Sequence, residues 1–303
     1  MGLISASIKA LISSKHLFKD KKVLALGNPF FSRERLIEAN IDKKTVTEIF
    51  KIDRDKRAQY LFSNIFNSEL YILDKSNEEG ANYIFDLNEF INDKSLEGKF
   101  DLIIDPGTSQ HIFDLKLLYK NIFFLLKKGG IYFFQNPSNG WIDHGFRQFS
   151  PTFFFDFCFG NKESLSLNQL YVFHRDRKKL INLLPFFNSR ELNSKSDLYP
   201  IKNNYESLNL RKFTNTYFLL LCRNGGYLDN IGMIKKLSNK DLNFSINQQI
   251  YRIKTLGEIL PNIEEKNLIN NKKSNLLKSF FLVIPIPTHL KLKMIEVYCE
   301  YIM

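Results

Sequence analysis

The stretch FDLIIDPGTSQHIFD, Phe100–Asp114, sets three aliphatic residues between two aspartates and then turns polar at once. Its first half predicts a buried strand. Pro106 and Gly107, followed by Thr108, Ser109, Gln110 and His111, predict a turn at the carboxyl end of that strand. Such a division of labour gives the strand a supporting role and the turn a chemical one.

The same pattern recurs on either side. KKVLALGNP, beginning at Lys21, is an aliphatic run closed by Gly27, Asn28 and Pro29, and a charged, helical stretch follows to about Phe66. ELYILDKS predicts a second strand ending at Asp74, and ANYIFDLNE a third ending at Asp86. After the quoted stretch, DLKLLYKNIFFLLKKGG puts Leu115, Leu118, Ile122 and Leu125 or Leu126 on one helical face, with Gly129 and Gly130 as the expected stop. IYFFQNP, SLNQLYVFH and TNTYFLLLCRN predict three further strands, the last two separated by a polar, basic connection. Short apolar strands alternating with helices predict an α/β fold with a parallel sheet covered on both faces. Ligands of such sheets bind at the carboxyl ends of the strands. Gly27, Asp74, Asp86, the Asp105–His111 turn and Gln135–Asn139 all fall at those ends.

Composition narrows the partners. The 303 residues are 44% hydrophobic and 25% charged, an ordinary globular balance. A net charge of +11, concentrated in the second half, favours anionic partners, but no Lys/Arg run reaches the length of a nucleic-acid arm. Cys158, Cys222 and Cys299 lie far apart with no CxxC pair, which suits a reducing cytoplasm and predicts no metal site. No segment approaches 18 uninterrupted apolar residues. The expected divisions are an N-terminal segment over 1–20, an α/β domain over 21–225 and a basic, helical C-terminal extension over 226–303. In that extension Leu290, Met294, Val297 and Tyr301 share one helical face, suited to packing on the protein or to peripheral contact with a membrane surface.

The ligand-side residues suggest a nucleoside. A pyrophosphate would need G-x-G-x-x-G or a P-loop, and neither is present. A nucleoside needs one close backbone approach after the first strand, an acceptor for ribose hydroxyls after the second and a polar group for adenine after the third. Gly27, Asp74, and Asp86 with Leu87 offer these in order; Asp also ends strands simply because its side chain favours turns.

On "VLALG", "YILDKS", "ANYIFDLNE", "FDLIIDPGTSQHIFD" and "LLKKGGIYFFQNP", the chain from Lys21 to Asn224 resembles the class I S-adenosylmethionine-dependent methyltransferases. "DPGTSQHIFD" with the later "HGFRQFSP" resembles a bacterial, glycan-associated subgroup. The resemblance implies a Rossmann-like sheet of about seven strands, mostly parallel, with the TYFLLLCRN strand antiparallel. It also implies S-adenosylmethionine as cofactor, with Gly27 beneath it, Asp74 on ribose, Asp86 and Leu87 flanking adenine, and Asp105 near the methionine moiety. The first loop, LALGNPFF, departs from the family's G-x-G-x-G.

Methyl transfer to a hydroxyl gains from alignment and from a base that is neutral near pH 7. His111 after the fourth strand and His144 after the fifth are the candidate catalytic residues; each could instead cap or pack its own loop. Ser150–Pro151 predicts a helix start, with Arg147 and Gln148 ahead of it in reach of a polar or anionic substrate. The expectation is a cytoplasmic O-methyltransferase acting on a sugar, glycan precursor or other hydroxylated small molecule. The alternative is a catalytically weak, methyltransferase-like scaffold in surface-polysaccharide assembly. A nucleic-acid methyltransferase is not expected, because the NPPY or DPPY tetrapeptide is missing.

Overall fold

The computed structural model describes residues 2–17, 19–176, 178–183 and 227–246. Helix α1 (Ser5–Ser13) leads into β1 (Lys22–Leu26), followed by the short helices α2 (Arg33–Glu38), α3 (Lys43–Ile49) and α4 (Arg57–Leu61). Then come β2 (Glu69–Asp74), β3 (Tyr83–Ile84), β4 (Phe100–Asp105), α5 (Leu115–Leu125) and β5 (Leu126–Asn139). Helix α6 (Pro151–Gly160), β6 (Leu165–His174), β7 (Lys179–Asn182) and β8 (Leu228–Lys236) complete the described chain. Four helix starts have a local cause: Ser32, Asp42 and Asp114 accept from the backbone N–H of Arg35, Thr45 and Leu117, and Pro151 opens α6 after Ser150.

The eight strands of the described residues form one sheet in the order β3-β2-β1-β4-β5-β8-β6-β7. The pairs β2–β3, β1–β2, β1–β4 and β4–β5 are parallel, whereas β8 runs antiparallel to both β5 and β6. Strand β6 therefore points the same way as the first five. Five of six predicted strands in the described residues sit where the alternation put them, including β4 at Phe100–Asp105, and ANYIFDLNE shrinks to the two-residue β3. TNTYFLLLCRN lies outside the described residues, as does the amphipathic tail.

Among the described residues β7 and β8 run antiparallel to the other strands, and β8 is LDNIGMIKK, which the sequence presents as part of the polar C-terminal extension. Asp, Asn and Gly are poor strand formers, yet each has a tertiary use here. Asp229 pairs with Arg175, Asn230 donates to the Phe149 carbonyl at 2.7 Å, and Gly232 makes room for an aromatic ring. A Cβ on Gly232 would stand 2.2 Å from Cζ of Phe134, whose ring stacks on Phe154 at 3.9 Å.

The first residues also belong to this body. Leu3, Ile8 and Leu11 are buried in the same core cluster as Val23, Leu102 and Phe133. Gln135 at the end of β5 accepts from the Ile4 N–H at 3.0 Å and donates to the Gly2 carbonyl at 3.1 Å. Helix α5 buries Leu118, Ile122 and Leu125 as expected, but it stops at Leu125, before the glycines. The cause comes from far along the chain: Lys236 Nζ donates to the carbonyls of Phe123 at 2.6 Å and Leu126 at 2.8 Å. A cation at a helix C-terminus satisfies carbonyls that have no partner within the helix. Lys236 is buried, and that burial lowers its pKa. Replacing it by Met leaves both carbonyls unpaired, and Lys236→Met is expected to lose about 1–3 kcal/mol of stability in chemical denaturation.

Candidate active site

The carboxyl ends of β1, β2, β4 and β5 meet around one turn. Asp105 ends β4 with no solvent exposure. Its Oδ1 accepts from the N–H groups of Gly107 at 3.1 Å, Thr108 at 2.6 Å and Ser109 at 3.3 Å. Its Oδ2 accepts from the Tyr132 hydroxyl at 2.9 Å and from Asn136 Nδ2 at 3.0 Å. Burial and the Asp105 carboxylate push Tyr132 well above its ordinary pKa, so it stays a donor. A buried charge must be fully hydrogen bonded, and this one is. Both oxygens are engaged within the chain, so Asp105 shapes the turn from below.

The turn reaches in two directions. At one end the Thr108 hydroxyl donates to the Leu26 carbonyl at the end of β1. Gly27 follows with φ at +78°, a conformation that favours glycine. A Cβ there would lie 3.3 Å from Thr108 Oγ1 and 3.6 Å from Asp74 Oδ2, filling the gap between them. Asp74 accepts from the Lys75 N–H through Oδ1 at 2.6 Å, and among the described residues Oδ2 has no hydrogen-bond donor. Gly27 and Asp74 are thus brought together. Beside them, the buried Asn28 donates to the carbonyls of Asp55 and Glu79, while its Oδ1 is buried without a partner.

Asp86 and Leu87 lie one strand further out. Lys75 Nζ approaches Asp86 Oδ2 at 2.7 Å, and Asn88 donates to Oδ1 from its backbone and its side chain. These bonds lower the Asp86 pKa to about 2, with Lys75 the largest cause. Leu87 is buried, and Asn121 of α5 donates to its carbonyl at 3.4 Å and to that of Glu89 at 2.7 Å. Asn88 Oδ1 accepts from the N–H groups of Phe113 and Asp114, which ties this loop to the segment after His111. Neither Asn88 nor Asn121 stood out in the sequence, where asparagine is abundant.

At its other end the turn carries His111, whose N–H donates to the Thr108 carbonyl at 2.9 Å. Its ring meets that of His144 edge to face, with centroids 5.2 Å apart. The two candidate catalytic residues are therefore neighbours. Gly145 makes this possible: a Cβ on it would lie 2.9 Å from the Gln110 carbonyl oxygen, and the next N–H, of Phe146, donates to that carbonyl at 2.8 Å. Trp141 packs on His144 at 5.0 Å and on Tyr227 at 4.9 Å. The Arg175 guanidinium lies 4.2 Å over the Trp141 ring and pairs with the buried Asp229 at 2.5 Å. Burial raises the Asp229 pKa, and Arg175 opposes that shift. Arg147 and Gln148 are used internally, on the Phe113 carbonyl and the Trp141 N–H. Phe113 and Phe146 pack edge to face at 5.7 Å, and together with Ile142 they leave an exposed apolar rim beside the histidines.

No family model and no curated protein matches the chain. Solved structures do resemble it. A geranyl diphosphate C-methyltransferase from Streptomyces coelicolor A3(2) is 11% identical with a TM-score of 0.41, over 77% of this chain and 78% of that one. An O-methyltransferase from a trans-AT PKS multienzyme of Brevibacillus brevis is 10% identical with a TM-score of 0.39, over 83% and 75%. The phosphoethanolamine N-methyltransferase 2 of Haemonchus contortus is 13% identical with a TM-score of 0.40, over 76% and 52%. These likenesses carry no weight for activity. The strand order, with β8 antiparallel between β5 and β6, decides the fold. It is a Rossmann-like methyltransferase fold.

Partial burial and the neighbouring His144 hold His111 below its ordinary pKa, with Asp105 opposing. Just below the ordinary value of about 6.5, the unfolded chain binds more protons at this position than the folded one, so stability rises with pH there. His111→Gln is expected to flatten the acid limb of a plot of melting temperature against pH, while parental protein loses stability as pH falls through the folded-state value. An unchanged limb in the variant would show that His111 titrates as it does in the unfolded chain.

Proposed function

We propose that the protein is an S-adenosylmethionine-dependent methyltransferase that methylates a hydroxyl of a sugar, glycan precursor or other hydroxylated small molecule in the cytoplasm. One observation carries this: a single turn, held by Asp105, touches the Gly27–Asp74 gap at Thr108 and the His144 ring at His111. The gap suits a ribose, because Asp74 Oδ2 faces an α-carbon without a side chain and two vicinal hydroxyls can donate to one carboxylate. Leu87 and the Asp86 loop, fixed by Asn88 and Asn121, flank the position for an adenine. When bound, S-adenosylmethionine supplies an electrophilic methyl group. The chain's own part is to bind, to align and to take a proton.

His111 suits the last task. Its lowered pKa leaves the ring neutral at pH 7, when it can accept a proton from a hydroxyl. His144 at 5.2 Å can orient it or replace it. The exposed pair Phe113–Phe146 offers apolar faces to an acceptor carrying both hydroxyls and apolar surface.

One observation favours the alternative, a methyltransferase-like scaffold with weak catalysis. The Thr108 hydroxyl bonds directly to the end of β1, and Gly27 is the sole glycine of that loop, so the turns of β1 and β4 approach closely. Calorimetric titration with S-adenosylmethionine and S-adenosylhomocysteine separates the two: the enzyme binds both and the scaffold neither. In the enzyme, Asp74→Ala is expected to weaken binding by about 1.5–3 kcal/mol, the usual worth of hydrogen bonds to a charged group; unchanged affinity would remove Asp74 from the site.

Turnover tests the histidines once an acceptor is in hand. His111→Ala is expected to lower kcat about 10²–10⁴-fold, the range for a general base, at nearly constant cofactor affinity. If His111→Ala and His144→Ala both keep parental kcat, alignment alone drives the transfer.

A further inference from the structure

The loop after β1 borders a second concave site that the proposed methyl transfer does not use. A cavity of about 240 Å³ lies between Phe30 and Phe31 of that loop, Arg35 of α2, Arg54, and Arg57 and Ala58 of α4. Three arginines, from α2, from the turn before α4 and from α4 itself, thus line one cavity. The Arg54 guanidinium stands 4.2 Å over the Phe30 ring, and that of Arg57 stands 4.5 Å over Phe50. Arg57 Nε donates to the Ile52 carbonyl at 3.0 Å, and Arg35 Nη1 donates to the Leu3 carbonyl at 3.2 Å. Stacking and these bonds fix the planes of the three groups while leaving most of their N–H donors unused.

Among the described residues none of the three arginines forms an ion pair, and Arg54 has no hydrogen-bond acceptor. Three acidic groups of the surrounding elements are engaged with other residues: Glu38 pairs with Lys178 at 2.5 Å, Asp229 pairs with Arg175, and the Asp42 carboxylate accepts from Thr45. Placing guanidinium groups around a cavity costs energy through partial desolvation, and burial, with Arg175 beyond the pocket, lowers the Arg35 pKa while Asp229 and Glu38 oppose that shift. A tetrahedral oxyanion would reverse that cost. Guanidinium forks match phosphate oxygens two at a time, and several forks from different directions suit a phosphate better than the single plane of a carboxylate.

We propose that this pocket binds a phosphate group, and that the group belongs to the methyl acceptor, which is a phosphorylated or diphosphate-linked compound. The second half rests on the methyltransferase reading; the first does not. One feature links the pocket to the candidate site: its loop follows Gly27 and Asn28 directly. A phosphate held there would leave the rest of the molecule free to extend along the carboxyl edge of the sheet. The overall charge of +11 draws such a ligand in.

The test is calorimetric titration of the full chain with pyrophosphate, inorganic phosphate and acetate at constant ionic strength. Pyrophosphate is expected to bind, phosphate more weakly and acetate not at all. Arg54→Gln with Arg57→Gln is expected to weaken pyrophosphate binding about 10-fold or more. Equal affinity in the variant, or no difference between pyrophosphate and acetate, overturns the phosphate site. If the double variant does not fold, each single variant and competition of sulfate against pyrophosphate on parental protein replace it, and a lack of competition overturns the site equally. S-adenosylhomocysteine is titrated in parallel. Its binding without pyrophosphate binding discards the pocket and keeps the methyltransferase, whereas the converse keeps the phosphate site and discards its assignment to a methyl acceptor.

Discussion

A carboxylate with no exposure to water exists only where the chain supplies every hydrogen bond that water would have given it. Asp105 meets that condition with three backbone donors from its own turn and two side-chain donors from β5. The turn cannot relax without stranding the charge, and β5 cannot slide without withdrawing Tyr132 and Asn136. Everything at the carboxyl edge inherits this rigidity. Thr108 is held against β1, His111 is held towards the loop after β5, and the separation between the two is set by the backbone between them.

The second constraint comes from the far end of the described chain. Strand β8 fills the space between β5 and β6, and its polar residues serve other elements. Lys236 terminates α5, Asn230 holds the segment before α6, and Asp229 anchors Arg175 beneath Trp141. Through Trp141 this strand reaches His144. A strand that supports a helix terminus, a loop and a candidate catalytic side chain contributes more through its polar contacts than its β propensity suggests. It also explains why the neighbouring aromatic core around Phe134 and Phe154 tolerates a glycine at position 232 and would not tolerate a larger residue.

The pocket proposed for phosphate and the site proposed for methyl transfer both border the carboxyl edge. One offers three guanidinium groups, the other two histidines and an apolar rim. A ligand that is anionic at one end and hydroxylated at the other would use both, and neither feature alone would select it. Specificity of this kind arises from pairing groups whose desolvation costs are offset only by the matching ligand.

Much of this was legible in the sequence. Strands buried on both faces must be aliphatic runs, so β1, β2, β4 and β5 announced themselves, and the residues closing them had to lie at the carboxyl ends of the strands. Gly27, Asp74 and Asp105, with His111 and His144 in the segments that follow, take their positions at that edge from this placement. What the tertiary structure decided is which of them meet. The contact of His111 with His144 depends on Gly145 fitting against Gln110, and the gap between Thr108 and Asp74 depends on Gly27 having no side chain. Strand β8 escaped notice because its Asp, Asn and Gly oppose a strand locally and are recovered only by Arg175, the Phe149 carbonyl and Phe134. Local propensity acts over a few residues. These contacts join segments far apart in the chain, and their energy exists only once both partners are in place.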